Sequence, residues 1–390
     1  MSVETAVITG SGVVAPNGIG NAAFAEALAG GKSGIGDLVS FDASDTGRGR
    51  AAEIQDFDPA PFLRSPKNYL DRNSALAFAA CEMAVRESGV ALPDAPRGYG
   101  IAAGSMAGNL ESLAAFYAKA REKGARFAPP FLFPHTYYNT TVGLLSIEYG
   151  LTGPHWQFCS GSAAGLEAVA FAAECVERGR AGLMLAGGAE AFSEWLFRLC
   201  LTRGWLSPIV GWEESCKPFA AERNGAILGE AAAFFVVESR EAARSRGARP
   251  LARVAGAGIS SSIHEAMSGA LAHAGLDAAK IDAVFASAGG YVSEDEEEAS
   301  AIAELFGAKG VPVVTLKAST GETLGAGGPL NLAAALAAMK GGMLPASPCA
   351  SAFDQLQLVQ ETRRAPVRHV LLNAGSPATA PWISLVVGQL

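Results

Sequence analysis

Short apolar runs alternate along the chain with longer, alanine-rich stretches that repeat every three to four residues. The short runs predict strands at residues 5–9, 100–103, 182–186, 232–238, 252–255, 283–286, 311–316, 369–373 and 383–387. The longer stretches predict helices at residues 21–29, 75–88, 110–123, 141–149, 163–178, 263–274, 297–306 and 330–340. Strands that are apolar throughout, separated by helices, imply an α/β protein whose sheet is buried on both faces. The charged segment SREAARSRGARP (Ser239–Pro250) interrupts this alternation and predicts a helix and linker between halves spanning 1–245 and 246–390. Each half opens alike, AVITGSGVV at the start and ARVAGAGISS after Pro250, a strand expected to run into a glycine-rich turn.

Composition narrows the function. The chain has 390 residues, 49% of them hydrophobic and 17% charged, which suits an extensive packed core and excludes disorder. A net charge of −8 with no basic run argues against nucleic acid, whose phosphates demand a cationic surface. An acidic carrier protein could still meet a local basic patch. The six cysteines (81, 159, 175, 200, 216 and 349) form no CxxC pair, so reduced thiols and a cytoplasmic location are expected, with neither disulfides nor a zinc site. No apolar run is long enough for a membrane anchor. His135, His155, His264, His273 and His369 lack metal-ligand spacing. The acidic run SEDEEE (Ser293–Glu298) reads as including solvated acids at a helix start.

Two motifs invite chemistry. ITGSGVVAPNG (Ile8–Gly18) contains GxGxxA after a strand, but Pro16 blocks the helix that a dinucleotide fingerprint must feed, so it reads as a turn alone. HWQFCSGSAAGLEA (His155–Ala168) reads as a strand, a turn of small residues and an apolar helix start. Backbone N–H groups at such a start lower a thiol pKa and cradle an oxyanion, which favours a nucleophile near Ser162. Cys159 comes three residues too early and is expected to be a buried structural cysteine.

Over nearly its whole length the sequence resembles the thiolase-fold β-ketoacyl synthases. The blocks that carry the resemblance are VITGSGVVAPNG, PFLFPHTYYN (Pro130–Asn139), LTGPHWQF (Leu151–Phe158), LAGGAEA (Leu185–Ala191), KPFAAERNGAILGEAAAFFVVES (Lys217–Ser239), DEEEASAI (Asp295–Ile302) and LKASTGETLGAGGPL (Leu316–Leu330). The resemblance implies two similar βαβ-type halves in a five-layered α-β-α-β-α core. The family's catalytic cysteine falls nine residues after the Gly-Pro glycine and twenty-eight before the acid of the Ala-Gly-Gly-Ala-Glu block. Counting forward from Gly153 and back from Glu190 both reach Ser162. The family's two histidines align with Ser287 and Glu322, while its lysine is kept as Lys317. The phenylalanine after Asn-Gly is Ala226, and the C-terminal glycine-rich gate is replaced around Asn373–Pro381.

Transacylation needs a thiolate, and decarboxylation needs donors for the enolate that forms as carbon dioxide leaves. Ser162 without a base is a poor nucleophile, and Glu322 puts like charge where negative charge develops. This pattern is similar to the chain length factor, or ketosynthase β, of type II polyketide systems, which usually carry glutamine where this chain has Ser162. The resemblance implies a non-catalytic subunit paired with an active ketosynthase, with acyl carrier protein reached mainly through that partner. It implies neither metal nor organic cofactor. Leu110, Leu113 and Tyr117, at i, i+3 and i+7 of one helix face, fall where that subfamily places its chain-length gate. Tyr137, Tyr138 and Asn139 are further expected near the subunit interface. Two alternatives stay open: an enzyme acting alone through Cys159 or Ser162, and a homodimeric binding protein.

Overall fold

The computed structural model describes residues 4–67, 69–92, 98–209, 213–376 and 380–390. Its strands fall into two sets with the same order and the same directions. In the first, Ala6–Ala15 pairs antiparallel with Ala231–Ser239, which pairs antiparallel with Leu183–Glu190. Tyr99–Gly104 and His155–Phe158 then follow in parallel. In the second, Ala252–Ser260, Ala380–Gly388 and His369–Ser376 are antiparallel, and Ala283–Phe285 and Pro312–Val314 follow in parallel. The sets touch through two residue pairs, Val7 with Arg253 and Ile8 with Ala252.

Side chains alternate between two different cores, as strand geometry requires. Along Ala231–Ser239, Ala233, Phe235 and Val237 point into the central core, whereas Ala232, Phe234 and Val236 point into an outer one. The central core holds helices Ala164–Glu177 and Gly327–Gly341 between the two sheets. Helices Arg72–Ser88 and Thr140–Tyr149 cover the first sheet outside, and Ile263–Ala274 with Val292–Phe306 cover the second. The result is the expected five-layered thiolase fold. No helix among the described residues is long and apolar enough to cross a membrane.

The glycine pairs at the opening of each half have a different cause from the one expected. The first strand runs unbroken from Ala6 to Ala15, so ITGSG makes no turn. A Cβ on Gly10 or Gly12 would lie 2.1 or 2.0 Å from the carbonyl oxygens of Ala84 or Ala80 in the outer helix. Gly256 and Gly258 stand likewise under Ile263–Ala274, 2.5 and 2.2 Å from the Ala270 and Ala266 oxygens. The glycines admit a helix backbone directly onto a strand backbone. The linker helix is also present, at Arg240–Ser245. Helix Glu194–Thr202 lacked a sequence expectation because its apolar positions follow the strand Leu183–Glu190 almost without a break.

Candidate functional site

The two central helices begin side by side, and four glycines make this possible. A Cβ on Gly104 would strike Gly165 N at 2.2 Å, and one on Gly165 or Gly188 would strike the Gly325 oxygen at 2.2 or 2.5 Å. Glu190 bridges the junction. Its carboxylate accepts from Ser105 Oγ, from the Met106 and Ala107 N–H groups at 2.6 and 2.9 Å, and from Gly325 N–H at 3.1 Å. Burial lifts its pKa to about 7 against the pull of those donors.

Beside this junction lies a cavity of about 20 Å³, room for little more than a water molecule. Ser162, Ser287, Lys317 and Glu322 all line it, although they are scattered over 160 residues of sequence. Ser162 sits in the 3-10 turn Gly161–Ala163 that leads into helix Ala164–Glu177, and Gly161 supplies the positive φ of 66°. The Ser162 side chain is buried, and no described residue hydrogen-bonds its hydroxyl. Ser287 is anchored instead: its N–H donates to Glu298 Oε1 at 2.9 Å and its hydroxyl to the Gly375 oxygen at 3.0 Å.

Glu322 is not the bare charge that the sequence suggested. Lys317 Nζ donates to its Oε2 at 2.6 Å, and Leu324 N–H donates to its Oε1 at 2.9 Å. Both side chains are buried, so Lys317 and Glu322 form one ion pair. Leu324 holds a φ of 46°, unusual for a residue with a Cβ and kept in place by that carboxylate.

The acidic run splits in two. Glu296 and Glu297 are exposed as expected, but Asp295 and Glu298, three apart on the helix, turn inward and are fully buried. Asp295 accepts from the N–H groups of Phe219, Gly289 and Gly290, and burial raises its pKa to about 6. Glu298 accepts from Ser287 and from Asn373 Nδ2, and burial raises it to about 7. Trp205, Tyr291, Leu324 and Trp382 complete the wall, and sequence reasoning missed all four. Leu324 lies within the quoted block Leu316–Leu330, and Trp205 is tied to another quoted block, its carbonyl accepting from the N–H of Ala226.

Cys159 differs from expectation in another respect. It is exposed, not buried, and its thiol pKa is raised by partial desolvation and by the charge of Glu190. Neither effect makes a nucleophile. Among the described residues no histidine lines the cavity. Of the altered gate at Asn373–Pro381, residues 377–379 lie outside the described residues.

The three helix-face residues lie apart from the cavity but connect to it. Leu110 packs against the cluster of Phe192, Leu196, Leu206 and Leu324, and Leu324 lines the cavity. Leu113 is half-buried, while Tyr117 is 59% exposed. Ring contacts run from Tyr117 through Phe116 and Phe133 to Tyr137. Tyr138, also partly exposed, lies against Gly108.

A duplicated five-layered core whose central helices start at one shared cavity defines the thiolase-fold class of acyl-transfer proteins. The chain belongs to the β-ketoacyl synthase family: residues 4–243 match its N-terminal domain and residues 245–350 its C-terminal domain. It is 32% identical over 355 residues to the granaticin polyketide putative beta-ketoacyl synthase 2 of Streptomyces violaceoruber, covering 88% of this chain and 85% of that one. It is also 32% identical to the oxytetracycline polyketide putative beta-ketoacyl synthase 1 of Streptomyces rimosus, over 87% and 85% of the two chains. Among solved structures, the ishigamide ketosynthase/chain length factor superposes with a TM-score of 0.92 at 26% identity, covering 100% of both chains. Identity to a synthase 1 and to a synthase 2 is thus the same.

Proposed function

We propose that this chain is the non-condensing chain length factor of a type II polyketide synthase, paired with an active ketosynthase. One observation carries the reading. The cavity that gathers the family's nucleophile and histidine positions contains Ser162, Ser287 and Glu322, with neither thiol nor imidazole. Among the described residues its one cation, Lys317, is held by Glu322 and is not offered to an oxyanion. Acyl transfer at Cys159 is disfavoured by its raised thiol pKa.

On this reading the partner supplies the thiol and both histidines, and acyl carrier protein delivers the growing chain mainly through it. The division at 245/246 then separates two degenerate thiolase-like halves. The surface suits a partner: strand His155–Phe158 is the uncovered edge of its sheet, with Trp156 53% exposed. Ile147, on the helix that precedes this strand, is 79% exposed, and Phe131 is equally bare. Leu110, Leu113 and Tyr117 would wall the tunnel into which the chain extends.

Co-expression with a ketosynthase that keeps its Cys-His-His set should yield a heterodimer in gel filtration. Elution of this chain as its own homodimer, with the ketosynthase separate, refutes the pairing. Within the heterodimer, Leu113→Trp should shorten the products without abolishing condensation, as read by mass spectrometry. Unchanged product length removes the gate assignment.

A further inference from the structure

An open groove of about 580 Å³ runs along the flank of the molecule where free edges of the two sheets lie close together. One wall is helix Ala164–Glu177, and the other is strand Ala252–Ser260, whose pairing with the first strand ends at Arg253. Phe158, the last residue of the uncovered edge strand His155–Phe158, lines the groove as well. Its ring lies 5.7 Å from that of Phe171 in the helix wall, and the exposed Trp156 ring lies 5.5 Å from Phe171. The groove is therefore continuous with the strand edge that suits a partner subunit.

Its charge is one-sided. Glu167 and Glu174 stand one helical turn to either side of Phe171, and Glu177 follows a turn later. Among the described residues Arg178 is the one lysine or arginine in the lining, and Glu174 already holds it at 3.0 Å. No described residue forms an ion pair with Glu177. His273 reaches the free strand edge, its Nδ1 accepting from the Ala257 N–H at 3.1 Å. That bond occupies the middle of the edge, so an added strand would have to displace it, and a partner meets the groove with side chains instead.

Symmetry turns this charge into a choice. Two copies of the chain joined edge to edge about a twofold axis would bring the two helices Ala164–Glu177 toward each other, acids facing acids. Like charges brought together as water leaves an interface oppose association, and opposite charges favour it. We propose that the groove selects the partner: it docks a ketosynthase that presents lysine or arginine side chains to Glu174 and Glu177, and it turns away a second copy of this chain. The inference rests on the pairing reading and names what decides the choice of partner.

The test uses the full-length chain, alone and co-expressed with a ketosynthase that keeps its Cys-His-His set, in analytical ultracentrifugation. Glu174→Gln/Glu177→Gln keeps the size of both side chains and removes two charges. It should raise the dissociation constant of the heterodimer by about tenfold or more and shift the lone chain from monomer toward dimer. Raising the salt from about 0.1 M to about 0.5 M should weaken the wild-type heterodimer and leave the variant nearly unchanged. Glu241→Gln/Glu361→Gln removes the same charge from exposed positions outside the groove and should change neither assembly. Glu174 is exposed, so Glu174→Lys carries the test if the double variant does not fold, with a larger loss of heterodimer expected. A heterodimer as tight in the groove variant as in wild type, or a lone variant chain that stays monomeric, overturns the proposal while the pairing stands. Failure of the wild-type chain to associate with the ketosynthase at all refutes the pairing and this inference with it.

Discussion

The first strand of each half carries two glycines beneath an outer helix, and the central helix of each half starts beside the cavity. The first pair of features is the same in both halves; the second is not. Gly10 and Gly12 repeat in Gly256 and Gly258, down to the helix carbonyls that their missing Cβ atoms leave room for. At the cavity, the first half presents Ser162, a hydroxyl with no partner, and the second presents Glu322, a carboxylate locked to Lys317. The two halves agree where backbones touch and differ where side chains face a void. The two side chains also differ in kind. A serine is small and neutral and asks nothing of its neighbours. A buried carboxylate must bring a cation and N–H donors with it.

The largest effect should come from the shared feature. Gly12→Val and Gly258→Val each drive a Cβ into a helix carbonyl, and each should cost more than about 5 kcal/mol, leaving no soluble folded chain. Folding of one variant but not the other would break the equivalence of the halves. Next comes the ion pair: Lys317→Met alone should destabilise by about 3–5 kcal/mol in urea unfolding, because it strands a buried carboxylate. The double variant Lys317→Met/Glu322→Leu should recover most of that loss. No recovery would mean that Lys317 acts apart from Glu322.

Titration gives a smaller, graded effect. Burial raises Glu190 and Glu298 from 4.5 to about 7. An acid whose pKa rises on folding binds its proton more tightly in the native state. Its contribution is therefore complete below pH 4.5 and is lost as pH climbs through about 7. Within that window each group contributes a slope of about 1.4 kcal/mol per pH unit. Thermal unfolding should fall in midpoint between pH 5 and pH 8, and Glu298→Gln should flatten the fall. An unchanged slope in that variant would assign the pH response elsewhere. Ser162→Ala should do least, shifting stability by no more than about 0.5 kcal/mol, since no partner loses a bond.

Most of the layered core was legible in the sequence because the central strands are largely apolar and covering helices such as Arg72–Ser88 and Ile263–Ala274 keep their period. The convergence of Ser162, Ser287 and Glu322 was legible only through resemblance, since 160 residues separate the first from the last. The glycine pairs read as turns, because sequence cannot distinguish a glycine that bends the chain from one that lets another backbone approach. The Lys317–Glu322 bond was hidden for a related reason. Five residues apart, the two are not neighbours on an extended helix, and the turn through Gly321 that joins them follows only a four-residue helix. The acidic run was read as including solvated acids, while Asp295 and Glu298 stood out through the resemblance, which set both on the family's acids; their three-residue spacing fits the inward stripe.

The central claim is that this chain keeps the frame of a carbon–carbon bond-forming synthase without the groups that form the bond. Its most direct test is to incubate the purified chain, free of any companion subunit, with acyl and malonyl carrier proteins and to measure β-ketoacyl products by mass spectrometry. The account predicts none from the chain alone and product once an intact ketosynthase is added. Condensation by the lone chain would contradict it.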